Sequence, residues 1–288
     1  MAPPRTSGGA TVRVQRVRIG PRRVAAGLVL VALLAACTEP AEEPAAGEGR
    51  IGELEADLVQ PSRPVDSPVA VLVPGGGWVD ADRSGLTPLA DALADEGIFV
   101  VNTTYRPANA GGDLESMVAD VVCAMRSAAR RVADITGESV EVVPIGHSAG
   151  AHLAALATLA DDEFTVSCAD DPAVVAGFVG LAGPYDVARV PDVAFPLFGV
   201  SPDADPDRWA AGNPLTYASS DPALPALLVH GSADALVPVD FTEQFAEALS
   251  SAGHPVETRI VAGATHGSIF DPAVTGDMIA SWLLALES

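Results

Sequence analysis

Val140-Glu141-Val142-Val143-Pro144-Ile145, followed by Gly146-His147-Ser148-Ala149-Gly150, is the stretch on which the fold turns. The first six residues form a short, apolar, β-branched run that reads as a buried strand. Residues 149–160 are rich in Ala and Leu and read as a helix. A G-x-S-x-G motif therefore falls on a strand-to-helix turn. Its two glycines leave little bulk where the chain reverses, so Ser148 projects at the tip. A hydroxyl held there meets a carbonyl carbon, and the first N–H groups of the helix face the oxygen that becomes negative. Five residues alone are a weak signal. The rest of the chain strengthens it.

Outward from that turn, strands and helices alternate. Strands are predicted over residues 69–73, 98–102, 140–145, 174–181, 226–230 and 256–261. Helices are predicted over 86–96 (closed by Gly97), 113–133, 149–160, 241–252 and 274–286. On the second helix Leu114, Met117, Val118, Val121, Val122 and Met125 recur at helical spacing. This order implies an α/β fold: a mostly parallel central sheet, helices on both faces, right-handed crossovers, and a ligand site beyond the carboxyl ends of the strands. Residues 185–220 break the rhythm with Pro191, Pro196, Pro202, Pro206 and Pro214, too many for one long helix. Val190, Val193, Phe195, Leu197, Phe198 and Trp209 supply material for a packed lid or pocket wall, against the alternative of a disordered insertion.

A serine hydroxyl is a weak nucleophile and needs a base whose ring is held by a third group. Five histidines compete for that post. His147 and His152 neighbour Ser148 in sequence, which suits neither to the role. His230 ends a strand, where a structural hydrogen bond is expected. His254 precedes the 256–261 strand and so lies at the far end of the sheet. His266 follows that strand in the loop Ala262-Gly263-Ala264-Thr265-His266-Gly267-Ser268 and emerges at the same end as Ser148. By the same reasoning Asp234, just past the 226–230 strand in His230-Gly231-Ser232-Ala233-Asp234, is the acid. Asp240, beside the next helix, reads as a cap. Ser148, Asp234 and His266 thus follow one another in chain order, each just beyond a strand.

Pro74-Gly75-Gly76-Gly77-Trp78 directly follows the 69–73 strand. Successive glycines let backbone N–H groups approach an oxyanion without interference from Cβ atoms. With this loop, Tyr105-Arg106-Pro107, the G-H-S-A-G motif with Ala151-His152-Leu153-Ala154 after it, and His230 to Pro238, the chain resembles the α/β-hydrolase superfamily, and within it esterases and lipases of the hormone-sensitive-lipase-like type. The likeness covers nearly all of residues 69–286. It implies an α/β-hydrolase fold and carboxylic ester hydrolysis through an acyl-enzyme, with no cofactor and no metal. It also implies that the N–H groups of Gly76, Gly77 and Ala149 hold the oxyanion. Those enzymes usually carry His before the three glycines, where this chain has Pro74, a departure that bears on loop rigidity and substrate preference. Trp78 and Tyr185 are candidate substrate contacts, with core packing as the alternative. An amidase, formamidase or peptidase using the same three residues, or a binding module that keeps an inert hydrolase shape, are the competing readings.

The first 36 residues carry six Arg and no Asp or Glu, and close with the apolar run 24–36 before Cys37. That run is short for a membrane span and fits the apolar region of an export signal. Leu34-Ala35-Ala36-Cys37 resembles the bacterial lipoprotein signal, in which the cysteine is lipidated and becomes the mature N-terminus. The alternatives are an ordinary cleaved signal or a simple anchor. Residues 37–50, rich in Pro, Glu, Ala and Gly, read as a flexible acidic tether. Residues 51–288 form the folded domain, with the insertion at 185–220. Without the signal, ten Arg face 38 Asp and Glu, and Lys is absent. Such a surface repels phosphate and argues against nucleic-acid binding. Membrane contact is expected through acyl chains on Cys37, and the expected partner is a small-molecule ester. No Cys or His spacing suggests a metal site. Cys123 and Cys168 are either two buried thiols or, outside the cytoplasm, a disulfide between the helix before the Ser148 strand and the loop after the helix that follows it.

Overall fold

The computed structural model describes residues 13–18 and 55–286. Residues 24–36, Cys37 and the tether, on which the export and anchoring expectations fall, lie outside the described residues. One sheet organises the rest, with β1 (Arg13–Arg18), β2 (Glu55–Gln60), β3 (Val69–Val73), β4 (Val100–Thr103), β5 (Val142–His147), β6 (Phe178–Leu181), β7 (Ala226–Gly231) and β8 (Val256–Val261). Their spatial order is β1-β2-β4-β3-β5-β6-β7-β8. β1 and β2 are antiparallel additions at one edge, and β3 to β8 run parallel. This is the α/β-hydrolase arrangement.

Both faces of the sheet are covered, which is why the central strands are continuous apolar runs rather than alternating ones. Along β3, Val69, Val71 and Val73 face one core, and Ala70 and Leu72 the other. The first face packs against α2 (Leu114–Thr136) and α3 (Ala149–Leu159), extended beside β6 and β7 by α6 (Asp240–Ala252). The second packs against α1 (Thr87–Asp95) and α7 (Pro272–Ala285). α2 starts where Asp113 and Ser116 make a reciprocal capping box and stops at left-handed Gly137. α3 is buried on nearly every side, which its Ala-rich composition permits.

The predicted elements recur with shifted ends, and three differences have clear physical reasons. β2 escaped prediction because it is antiparallel and half-covered, and carries only a short apolar-polar pattern. β1 occupies part of the expected signal segment. The open N–H and C=O groups of β2 accept any extended partner, and Arg13–Arg18 supplies one at the very edge. The predicted 174–181 strand pairs continuously only over Phe178–Leu181, with Val175 making a single bridge to Val142.

In the insertion three of the five prolines begin elements, and Pro196 lies within one. Pro191 opens α4 (Pro191–Phe198), Pro206 opens α5 (Pro206–Ala211) and Pro214 a 3-10 turn. Phe198 stacks on Trp209 with centroids 3.9 Å apart, joining α4 to α5. The expected folded wall is therefore present.

Cys123 on α2 and Cys168 form a disulfide, with Cα atoms 5.6 Å apart across a separation of 45 residues. Closing a loop of that length stabilises the fold by about 4 kcal/mol in the chain-entropy picture. We expect Cys123→Ser/Cys168→Ser to lower the unfolding free energy by about 3–4 kcal/mol in urea titrations, and an unchanged midpoint would refute the assignment.

Candidate active site

Ser148 stands between the end of β5 and the start of α3 with φ 52° and ψ −119°, in a region that non-glycine residues avoid. Such backbone costs on the order of 1–3 kcal/mol and persists only where its surroundings over-determine it. Here they do. A Cβ on Gly146 would fall 2.2 Å from the Gly150 carbonyl oxygen, and one on Gly150 2.3 Å from that of Val73. The Ser148 N–H donates to the Leu181 carbonyl at 2.8 Å, and its own carbonyl accepts from Ala151 N–H at 2.9 Å.

Asp234 sits in the turn after β7, with its side chain buried. Oδ1 accepts the N–H groups of Leu236 (2.8 Å) and Val237 (2.9 Å), and Oδ2 accepts His266 Nδ1–H at 2.7 Å. Burial by itself would raise this carboxyl. The Val237 N–H, His266 and the Leu236 N–H outweigh it and hold the group below the ordinary carboxylate range. With Nδ1 donating to Asp234, His266 leaves Nε2 for the cavity. That cavity, 540 Å³ in volume, is lined by Ser148, His266, His147, Gly75, Gly76 and Gly77 among others. Ser148 and His266 therefore share one cleft. Among the described residues the Ser148 hydroxyl makes no hydrogen bond, so the transfer geometry requires the hydroxyl to turn toward Nε2, as unliganded sites commonly do.

The N–H groups of Gly76, Gly77 and Ala149 donate to no acceptor among the described residues, and all three residues line the space around Ser148. Gly76 (φ 132°) has no room for a side chain: a Cβ would lie 2.2 Å from the Asp80 carbonyl oxygen. The segment after β4 braces this loop from outside. Thr104 Oγ1–H donates to the Ala81 carbonyl (2.6 Å), Tyr105 O–H to that of Asp80 (3.1 Å), and Ala108 N–H to that of Trp78 (2.8 Å). Arg106 in turn is anchored through its N–H and guanidinium to buried Asp120, at 2.8 and 3.1 Å. The Tyr-Arg-Pro motif thus has a mechanical role in a chain with Pro74 in place of the usual histidine.

A second, smaller chamber of 80 Å³ also reaches Ser148, lined by Trp78, Pro184, Val190, Val193, Leu236 and Phe241 among others. His266 lines only the larger one. Trp78 is among the residues that line this chamber, with its side chain packed in the core. Tyr185 is not: it is fully buried, stacked on Phe245 with centroids 4.3 Å apart, and lines neither chamber. The turn at Gly183 and Pro184 points its ring into the core, so Pro184 and not Tyr185 meets the cleft. Asp240 also differs from expectation. It is the first residue of α6 and pairs with Arg189 at 2.7 Å, making no cap. The walls Leu236 and Val237 escaped prediction, although the apolar run after Asp234 was the available signal.

The other histidines are structural. His230 bonds Thr242 Oγ1 (2.8 Å) and the Val237 carbonyl (2.9 Å), and His254 lies between the carbonyls of Leu224 and Ala218 at 3.0 Å each. His147 Nε2–H donates to the His266 carbonyl at 3.0 Å, fixing the backbone of His266.

The BD-FAE family model matches residues 57–249. The chain belongs to the BD-FAE family. Family membership thus covers Ser148 and Asp234, while His266 comes from the part of the fold beyond the match. The chain is 29% identical to the probable carboxylic ester hydrolase LipM of Mycobacterium tuberculosis, over 64% of this chain and 45% of that protein. It is 30% identical to esterase LipQ of the same organism, over 65% of this chain and 47% of that protein. The isoprenylcysteine α-carbonyl methylesterase of Arabidopsis thaliana is 25% identical, over 70% and 51%. The chain therefore spans about half the length of these curated relatives. Among solved structures, the Est2 esterase of Thermogutta terrifontis aligns with a TM-score of 0.65 at 23% identity, over 80% of this chain and 87% of that one. That likeness is one of fold.

Burial pushes the imidazoles of His147 and His152 down from the ordinary 6.5 to about 4. The unfolded chain takes up these protons near pH 6.5, so between there and about pH 4 it binds more protons than the folded chain. Stability therefore falls with pH across that window, by about 2–3 kcal/mol per histidine at pH 4.5. Urea titrations at about pH 7 and pH 4.5 measure this, and a midpoint that does not move would contradict the buried, neutral assignment.

Proposed function

We propose that this chain is a serine hydrolase that cleaves carboxylic esters. The observation that carries the reading is the pairing, in one cleft, of an elbow serine with an imidazole whose far nitrogen is held by a buried carboxylate. The esterase names of its relatives agree with it. Ser148 Oγ attacks the acyl carbon while His266 Nε2 takes its proton. Asp234 keeps Nδ1–H on the far side and stabilises the imidazolium. The tetrahedral oxyanion sits against the N–H groups of Gly76, Gly77 and Ala149, each worth on the order of 3 kcal/mol. His266 then gives its proton to the leaving alkoxide, so the alcohol occupies the larger cavity and the acyl chain the apolar chamber. Water entering from the alcohol side repeats the sequence and frees the acid and Ser148. The 80 Å³ chamber holds about three water-sized groups, which favours short acyl chains.

A fluorophosphonate probe should label Ser148, and Ser148→Ala should abolish both labelling and about 10³-fold or more of the esterase activity. On p-nitrophenyl esters, acetate to butyrate should exceed octanoate in kcat/KM. Turnover confined to anilides would replace this reading with an amidase, and a folded, unlabelled protein with a binding surface.

We further propose that the chain is exported and held at a bacterial membrane by acyl chains on Cys37. The Cys123–Cys168 bridge belongs in an oxidising compartment and supports export. Cys37→Ser expressed in a bacterial host should move the protein from the membrane fraction to the soluble fraction, and unchanged partition would defeat the proposal.

A further inference from the structure

His152 lies one turn along α3 from Ser148, wholly buried and without contact to either chamber. Its Nδ1 accepts the Trp78 indole N–H at 3.3 Å, and its Nε2–H donates to the Gly212 carbonyl at 2.8 Å. An indole N–H only donates and a carbonyl only accepts, so the partners fix the tautomer. The imidazole meets Trp78 edge-on, with centroids 5.2 Å apart at 84°. Three separate segments converge on this ring: the glycine loop through Trp78, the serine helix through His152 itself, and the insertion through Gly212.

Trp78 needs such a hold. Its φ of 61° is left-handed, a conformation a bulky side chain adopts only under constraint. It directly follows Gly77, whose N–H faces the oxyanion position, and Trp78 lines the acyl chamber beside Ser148 and Ala149 while its ring packs in the core. Gly212 follows α5, and the same insertion brings Val190 and Val193 to the opposite wall of that chamber.

We infer that His152 is a positioning residue for ester hydrolysis: by locking Trp78 to the Gly212 carbonyl it fixes the Gly77 N–H for the oxyanion and sets the width of the acyl chamber. This rests on the function proposed above. Replacing the ring leaves an indole N–H and a carbonyl buried without partners, and the loop that carries the oxyanion donors is then free to shift. Displacements of about 1 Å in such a site cost about 10²-fold in rate.

The test compares His152→Phe, which keeps a ring and loses both hydrogen bonds, with His152→Gln, whose amide retains one acceptor and one donor. Trp78→Phe removes the donor from the other side and stands in should His152→Phe fail to fold. kcat and KM are measured on p-nitrophenyl acetate, butyrate and octanoate, alongside Ser148 labelling, thermal melting, and exchange of the Trp78 indole proton by NMR. His152→Phe and Trp78→Phe should lower kcat on acetate about 10- to 100-fold with little change in KM. Both should raise the octanoate-to-acetate ratio, and His152→Gln should recover much of the loss. The indole proton, protected in the wild type, should exchange rapidly in His152→Phe. A purely structural histidine would lower the melting temperature and leave kcat and chain-length preference untouched, and that outcome in a folded, Ser148-reactive variant overturns the inference. A wild-type protein that neither labels nor hydrolyses any ester overturns the function itself, and is recognised without any variant.

Discussion

The close approach of two backbones governs the molecule. Gly150 at the start of α3 lies so near the Val73 and Pro74 carbonyls that a Cβ would come within 2.3 and 2.5 Å of them. Gly75 meets His147 and Ser148 as closely, with a Cβ position 2.8 Å from the His147 ring and 3.1 Å from the Ser148 Cβ. These contacts hold the serine turn under the glycine loop, in the register that pairs Val73 with Gly146 at the ends of β3 and β5. The place of Ser148, the course of the glycine loop and the sheet register are consequently one constraint. A methyl group at Gly146 would push β5 off the start of α3, and one at Gly150 would push α3 off the end of β3, before either touched any substrate.

That contact sets where the loop sits and leaves open how stiff it is. Stiffness comes from two sides. From outside, the segment after β4 donates to three carbonyls of the loop, those of Trp78, Asp80 and Ala81, and is itself fastened to Asp120 through Arg106. From inside, the Trp78 ring is gripped at its only polar atom. Preorganisation of this kind is what gives a backbone N–H its value, because donors already aimed at the developing charge need no rearrangement during reaction. A loop with three glycines and no such bracing would lose that advantage to its own entropy.

Much of this was legible in the residues. The parallel strands are apolar runs followed by glycine or polar turns, and their ends fix which loops share a rim. Ser148 reads from its G-x-S-x-G turn, and strand order then points to Asp234 and His266 on the same rim. What escaped were features decided by neighbours distant in sequence. Tyr185 has the composition of a pocket residue, yet the turn before it sends the ring to Phe245. β2 has too short a pattern to announce itself, and exists because β4 offers an edge. Nothing in Ala-His-Leu-Ala says that the imidazole will find an indole 74 residues earlier and a carbonyl 60 residues later.

The histidines show how one side-chain type is assigned different tasks by geometry. His152, His230 and His254 have both ring nitrogens engaged by protein groups, and His147 spends its Nε2–H on the His266 carbonyl while Nδ1 lies against Gly75. Only at His266 is one nitrogen fixed by a carboxylate and the other left facing a cleft that also contains a serine. A base needs that asymmetry: Nδ1–H on an acceptor, so that Nε2 carries the lone pair and the resulting cation has a counter-charge. Strand order sets aside His254, adjacency to Ser148 sets aside His147 and His152, and an expected hydrogen bond sets aside His230. Hydrogen bonding adds a chemical distinction to these, because His266 alone pairs Nδ1 with the carboxylate and keeps Nε2 for the cleft.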